Sequence, residues 1–194
     1  YVSLIKNNLI DIKSDGTFRL DMSYFKYHRG LRMTSRKFSK LFGQPPRKSE
    51  TALTQFHMDI AASIQSVTEE IVILLAKSLR KESGVKNLCL AGGVALNCVA
   101  NGKLLREKIF DNIWIQPAAG DAGTALGAAL IAHYEYSGAK RIVNPQDSMK
   151  GTYLGPKYSN QYIKDYLNNI NAIFYTKEDE ELFLDLANLL DKGN

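Results

Sequence analysis

Two glycine-bearing segments hold the residue types that could do chemistry: Ala91-Gly92-Gly93-Val94-Ala95-Leu96-Asn97 and Pro117-Ala118-Ala119-Gly120-Asp121-Ala122-Gly123-Thr124. Each follows a short apolar run that reads as a strand and opens an alanine- or leucine-rich run that reads as a helix. Glycine lets a backbone come close to a ligand, and the free amides at a helix start donate to anionic or polar oxygens. Asp121 adds a carboxylate suited to a divalent metal or a ligand hydroxyl. The pair reads as a nucleotide site with room for a metal. Gly92, Gly93, Gly120 and Gly123 also fit plain strand-to-helix turns, with Asn97 and Asp121 as helix caps. Recurrence favours the ligand, because turns on successive parallel strands should lie side by side.

The elements that must position these turns follow from periodicity. From about 52 to 81, Leu53, Phe56, Ile60, Ile64, Val67, Ile71, Leu74 and Leu75 recur mostly every three or four residues. This predicts a long amphipathic helix packed on a sheet, capped by Ser49 or Thr51 and ending near Ser83-Gly84. Strands at 85–91 and 113–116 and helices at 97–108 and 122–136 then imply parallel strands with crossover connections, an α/β fold. Both turns fall at the carboxyl ends of the strands, where open sheets bind ligands. Upstream, Ile10 and Ile12 and then Phe18, Leu20 and Met22 alternate around Ser14-Asp15-Gly16-Thr17, a hairpin with Asp15-Gly16 as its two-residue turn. No helix follows, so Asp-Gly-Thr is not read as the phosphate loop of sugar kinases. Thinning of the apolar pattern around Gly138, Asn144-Pro145 and Gly151 divides the chain into 1–150 and 151–194. The tail reads as helices at 158–168 and 177–190 with Ile173-Phe174-Tyr175 as a short strand, too little for a core of its own.

Composition narrows the class. The 194 residues are 45% hydrophobic and 23% charged. No apolar run approaches the ~18–20 residues of a membrane span, so no membrane partner is expected. No leader pattern precedes the first strand, and Tyr1 stands where a methionine would, which suggests a mature product or an excised piece. Cys89 and Cys98 lack the paired spacing of a zinc or redox motif and read as buried reduced thiols of a cytoplasmic protein. The net charge of +5 is concentrated between Lys26 and Lys48, where eight cations occur without an acid. A solvated face or a phosphate-facing one fits; a nucleic-acid partner is disfavoured, because the aromatics here form no stacking motif. His28, His57 and His133 are far apart and read as structural, and no serine or cysteine sits in a nucleophile elbow.

At the two turns the chain becomes recognisable. Residues 90–102 and 115–129, with Asp59-Ile60-Ala61-Ala62-Ser63-Ile64-Gln65 and Leu20-Asp21-Met22-Ser23-Tyr24-Phe25, closely resemble the O-carbamoyltransferases of the nodulation-protein U and cephem or aminoglycoside carbamoyltransferase family. The resemblance implies the ribonuclease H-like lobe of the actin-like ATPase or sugar-kinase fold. Residues 1–150 would be the second half of that domain, behind the N-terminal hairpin, and 151–194 the start of a truncated YrdC-like domain. It implies transfer of a carbamoyl group from carbamoyl phosphate, through an ATP-derived carbamoyl-adenylate, to a hydroxyl acceptor. By matching position, Gly92, Gly93, Val94, Asn97, Gly120 and Gly123 would line the nucleotide, and Asp121 would ligate a divalent metal, iron in the family. The histidine ligands belong to the first half of the family's fold, so the chain alone should be catalytically incomplete. A non-catalytic nucleotide-binding or assembly lobe, or a tRNA-modifying threonylcarbamoyl-type relative, stands as the alternative, and homo-oligomerisation is left open.

Overall fold

A 29-residue helix, α3 (Gln55–Ser83), organises the first part of the chain. The computed structural model describes residues 1–193, in two compact units: Tyr1–Pro145, and the residues from Gln146 onward. The first unit contains α1 (Val2–Asn8), β1 (Ile10–Ile12), β2 (Phe18–Leu20), α2 (Arg36–Phe42), α3, β3 (Asn87–Leu90), α4 (Cys98–Arg106), β4 (Asn112–Ile115) and α5 (Ala122–Ile131). The second contains α6 (Asn160–Asn169) and α7 (Asp179–Asp191). The architecture is mixed α/β. Among the described residues it has two two-stranded sheets, β1-β2 antiparallel and β3-β4 parallel. No helix is long and apolar enough to cross a membrane among the described residues.

Helix α3 begins later than its periodicity suggests, because Thr54 is its cap. The Thr54 N–H donates to His57 Nδ1 at 3.1 Å, with Thr54 Oγ1 2.8 Å from the same nitrogen. The histidine stands where a capping box carries Glu or Gln. Thr51 is turned back instead, its hydroxyl donating to the Lys48 carbonyl at 2.7 Å. At the other end Gly84 takes the left-handed conformation (φ 66°), and its N–H reaches the Arg80 carbonyl at 3.1 Å.

The buried surface of α3 is not one stripe. Val67 and Ile71 join Ile5, Leu9, Ile10, Tyr24 and Phe42 in one core, while Ile73 and Ala76 join Leu88, Leu104 and Phe110 in another. At ~100° per residue the two pairs point roughly 170° apart. The helix is therefore held between two clusters rather than laid on a single sheet face. Ile64 and Leu75, expected in the buried stripe, are exposed.

The hairpin is present, with a longer loop than expected. Lys13 N–H donates to the Thr17 carbonyl (2.8 Å) and Gly16 N–H to that of Lys13 (3.0 Å), leaving Ser14-Asp15-Gly16 as a three-residue loop. The Asp15 carboxylate accepts from the N–H and hydroxyl of Thr17. Gly16 has φ 87°, and a Cβ there would lie 2.5 Å from the Leu75 backbone nitrogen, because the loop rests on α3. Turn conformation and close approach both demand glycine.

The basic stretch folds into ordered structure with α2. Ser35 caps α2, and its hydroxyl donates to the Ser23 carbonyl at 2.9 Å. Phe25 and Thr34 form an antiparallel bridge. Lys37 lies 4.0 Å from the ring centroid of buried Tyr24 and 3.2 Å from the Asp21 carboxylate. All eight cations are exposed. Hydrogen bonds from the Ser23 side chain and backbone, reinforced by Lys37, hold the Asp21 carboxyl down at about 2, below its ordinary 3.8.

Strands β3 and β4 pair in the register Asn87↔Asn112 to Leu90↔Ile115, with α4 as the crossover. Leu88 and Leu90 face the core, whereas Cys89 and its partner Trp114 face outward and are exposed. Cys98 is exposed too, so neither cysteine is the buried thiol expected. In the second unit, Ser159 caps α6 and Lys177 pairs with Glu181 and Asp185 of α7. No residue of α6 or α7 is buried. The strand expected at Ile173-Phe174-Tyr175 is absent, since these three residues pair with no strand among the described residues.

Gly16→Ala is expected to lower stability in urea denaturation by more than ~1 kcal/mol, because neither φ nor space accepts a methyl. The stabilisation from Asp21 carries a sign set by its depressed pKa: present above about pH 4, and lost as pH falls towards 2. The stability gap between wild type and Asp21→Asn, followed by denaturation across that range, should close in the same window.

Candidate functional site

The two glycine turns meet. Beyond the last strand pair the ladder continues with Gln116 N–H donating to the Leu90 carbonyl at 3.0 Å. The Gly92 N–H then donates to the Ala119 carbonyl at 2.8 Å, so each turn is bonded to the other. This is the side-by-side placement expected of turns at the carboxyl edge of neighbouring parallel strands. Gly92 reaches it with φ 93° and ψ 160°, a backbone geometry for glycine. Gly93–Leu96 form a 3-10 turn anchored by buried Ala95. The N–H groups of Gly93 and Val94 open that turn and have no partner inside it.

In the second turn, Gly123 N–H donates to the Gly120 carbonyl and Thr124 N–H to that of Asp121, both at 3.1 Å. Ala119 is buried. A Cβ on Gly123 would fall 2.0 Å from the Ala118 carbonyl oxygen, so the turn closes only with glycine there. Gly93 and Gly120 differ in kind. Neither has positive φ, and a Cβ on either meets nothing within 4 Å. The turn itself therefore explains Gly92 and Gly123, and leaves Gly93 and Gly120 beside open space.

Asn97 and Asp121, alike as cap candidates in sequence, part here. Asn97 Oδ1 accepts from Ala100 N–H at 3.1 Å and caps α4. Its amide also pairs reciprocally with Gln65 of α3, with Asn97 Nδ2 to Gln65 Oε1 at 2.8 Å and Gln65 Nε2 to Asn97 Oδ1 at 3.1 Å. Gln65 Nε2 donates to Glu69 at 2.9 Å as well, and Lys103 of α4 reaches the other Glu69 oxygen at 3.2 Å. Hydrogen bonds from Gln65 and Lys103 hold the Glu69 carboxyl below its ordinary value. Sequence reading assigned no role to Gln65, Glu69 or Lys103, although Gln65 ends one of the segments that carry the resemblance.

Asp121 stands at the start of α5 but makes no capping bond. Its carboxylate is exposed and makes no hydrogen bond or ion pair with the described residues. It is a free hard-oxygen donor, and so fits one ligand position of a divalent cation. No group of three His, Cys, Asp or Glu that could hold a metal occurs among the described residues. His57 is used as a cap, and exposed His133 lies edge-on to Tyr134.

Gly123→Ala is expected to force the second turn open and destabilise the protein by ~1–3 kcal/mol. Amide exchange at Gly92, whose bond runs to the neighbouring Ala119 carbonyl, should quicken in the same variant.

Comparison with known proteins gives the family of the segment that holds both turns. The sequence model of the family described as "Carbamoyltransferase N-terminus" matches residues 2–130, which include both turns. An uncharacterized protein of Synechocystis sp. is 56% identical over 196 residues, covering 100% of this chain and 32% of its own length. Nodulation protein NolO of Bradyrhizobium diazoefficiens is 44% identical over 115 residues, 59% of this chain and 20% of the relative. Nodulation protein U of the same organism is 36% identical over 85 residues, 43% of this chain and 14% of the relative. The chain thus spans about a third of the length of the Synechocystis protein and aligns with smaller shares of the other two. With a family match that takes in α1 through most of α5, this chain belongs to the carbamoyltransferase family, in the N-terminal region the match describes.

Proposed function

We propose that this chain supplies the nucleotide-side wall of an ATP-dependent O-carbamoyltransferase with the actin-like fold. The observation that carries the reading is the pair Gly93 and Gly120: glycines that neither backbone conformation nor internal space requires, one on each of two hydrogen-bonded turns. A side chain at either position would project into the space beside the turns. That is the place of a ligand's phosphate and ribose oxygens, in reach of the unpaired N–H groups that open the Gly93–Leu96 turn.

In the proposed reaction, carbamoyl phosphate is cleaved by water to carbamate and inorganic phosphate, and a carbamate oxygen then attacks the α-phosphorus of ATP, breaking the bond to pyrophosphate, which leaves, to give carbamoyl-adenylate. The acceptor hydroxyl oxygen then attacks the carbamoyl carbon, the carbon–oxygen bond to the adenylate phosphate breaks, and AMP leaves. The turns hold the adenylate and keep its carbamoyl end fixed, which supports transfer by positioning. Asp121 would give one oxygen ligand to a divalent metal, whose chemistry when bound is to polarise the carbamoyl carbonyl as a Lewis acid. Its remaining ligands would come from outside the described residues.

Calorimetric titration of the full-length protein with AMP tests the reading. Gly93→Val should keep the thermal midpoint of the wild type, because the position is open, yet lose AMP affinity. Asp121→Ala should lower metal content in the purified protein and leave folding intact. Unchanged AMP affinity in the first variant, with unchanged metal content in the second, would falsify the assignment.

A further inference from the structure

We infer that Gln65 is a positioning residue for the first glycine turn, its amide orientation set by Glu69, so that α3 dictates how the turn presents its N–H groups. The inference rests on the nucleotide reading above for its consequence, but its geometry stands apart from it.

A side-chain amide has a donor end and an acceptor end, and an Asn–Gln pair closes equally well with both amides turned over. Polarity breaks the tie. Glu69 is a carboxylate whose oxygens only accept, and it lies 2.9 Å from Gln65 Nε2. The donor end of Gln65 must therefore face Glu69, and its second N–H then points to Asn97 Oδ1 at 3.1 Å. Asn97 is left with its oxygen towards the Ala100 N–H and its Nδ2 towards Gln65 Oε1. That is the orientation in which Asn97 caps α4. With its amide turned over, Nδ2 would face the Ala100 N–H, and the cap would be lost.

The circuit is closed from the far side by Lys103, whose hydrogen bond adds to that of Gln65 in lowering the Glu69 carboxyl below its ordinary value. The Glu69 side chain is only 15% exposed, so water competes weakly for these bonds. Asn97 is joined to the glycines by the 3-10 turn, since its own N–H donates to the Val94 carbonyl at 2.9 Å. Asn101 adds a further tie, donating from Nδ2 to the Ala95 carbonyl at 2.7 Å. A displacement of Asn97 is thus a displacement of Val94 and Gly93. The Asn97 side chain is occupied by α3 and the α4 cap, so its contribution to a ligand is made through the backbone it fixes.

The experiment compares the full-length wild type with Gln65→Ala, Glu69→Gln and Gly93→Val by AMP calorimetry, thermal unfolding and amide exchange over residues 92–100. Glu69→Gln keeps size and can donate as well as accept, so it removes the orienting signal together with the charge that Lys103 pairs, and leaves room for both hydrogen bonds. Expected are faster exchange across the turn in Gln65→Ala and Glu69→Gln, and a dissociation constant for AMP raised about tenfold. The thermal midpoint of Glu69→Gln should stay near that of wild type. If Gln65→Ala does not fold, Glu69→Gln decides by the same readouts. Unaltered exchange in both variants overturns the positioning role whatever AMP does. Faster exchange with wild-type AMP affinity, while Gly93→Val abolishes binding, overturns the link to the ligand and leaves the nucleotide reading standing. No AMP binding by the wild type removes the nucleotide reading, and exchange alone then decides whether Gln65 orders the turn.

Discussion

The first unit depends on one helix serving two cores at once. α3 buries Val67 and Ile71 on one side and Ile73 and Ala76 on nearly the opposite one. The first pair anchors α1, the hairpin and α2; the second anchors β3, β4 and α4. A helix with a single apolar stripe would leave one of these groups without a floor. The same helix carries Gln65 and Glu69 on the face of Ile73 and Ala76, two turns and one turn before Ile73. The turn that begins α4 is therefore placed by polar bonds to the element that packs the sheet beneath it.

Placement by a shared helix explains how the two turns stay in register. Strands as short as β3 and β4, each four residues long, are weak templates alone. Here hydrogen bonding extends past the strand ends, through Gln116 to Leu90 and Gly92 to Ala119. Leu104, fully buried, presses α4 onto the sheet. Burying such a side chain supplies ~2 kcal/mol or more, several times the worth of any exposed ion pair in the network.

What sequence made legible was local. The three- and four-residue recurrence of α3, the glycine that ends it, the alternation of the hairpin and the two strand-turn-helix units are all written within a few residues of where they act. Other features depend on partners far along the chain. The Ser14-Asp15-Gly16 loop needs glycine at 16 because it rests on Leu75, and Cys89 is exposed because the outer face of the β3-β4 pair is uncovered among the described residues. α2 carries its buried face, mainly Phe42, in a run whose charge masks the period. At the site, the glycines were legible as a class, yet only coordinates separate Gly92 and Gly123, which shape the turns, from Gly93 and Gly120, which do not. The Gln65–Asn97 pair spans 32 residues, and no spacing rule reaches that far.

The bond between Gly92 and Ala119 also sets an order of assembly. Every element of the site lies between α3 and the second turn, and the last contact to form joins residues on either side of the β3-α4-β4 crossover. As the chain is synthesised from its amino end, α1, the hairpin, α2 and most of α3 can pack into the first core before β4 exists. The first glycine turn by contrast lacks its partner across the sheet until Ala119 has emerged, some tens of residues later and, at ~5–20 residues per second, a matter of seconds. During that interval the growing chain holds a finished support and a turn that is not yet closed.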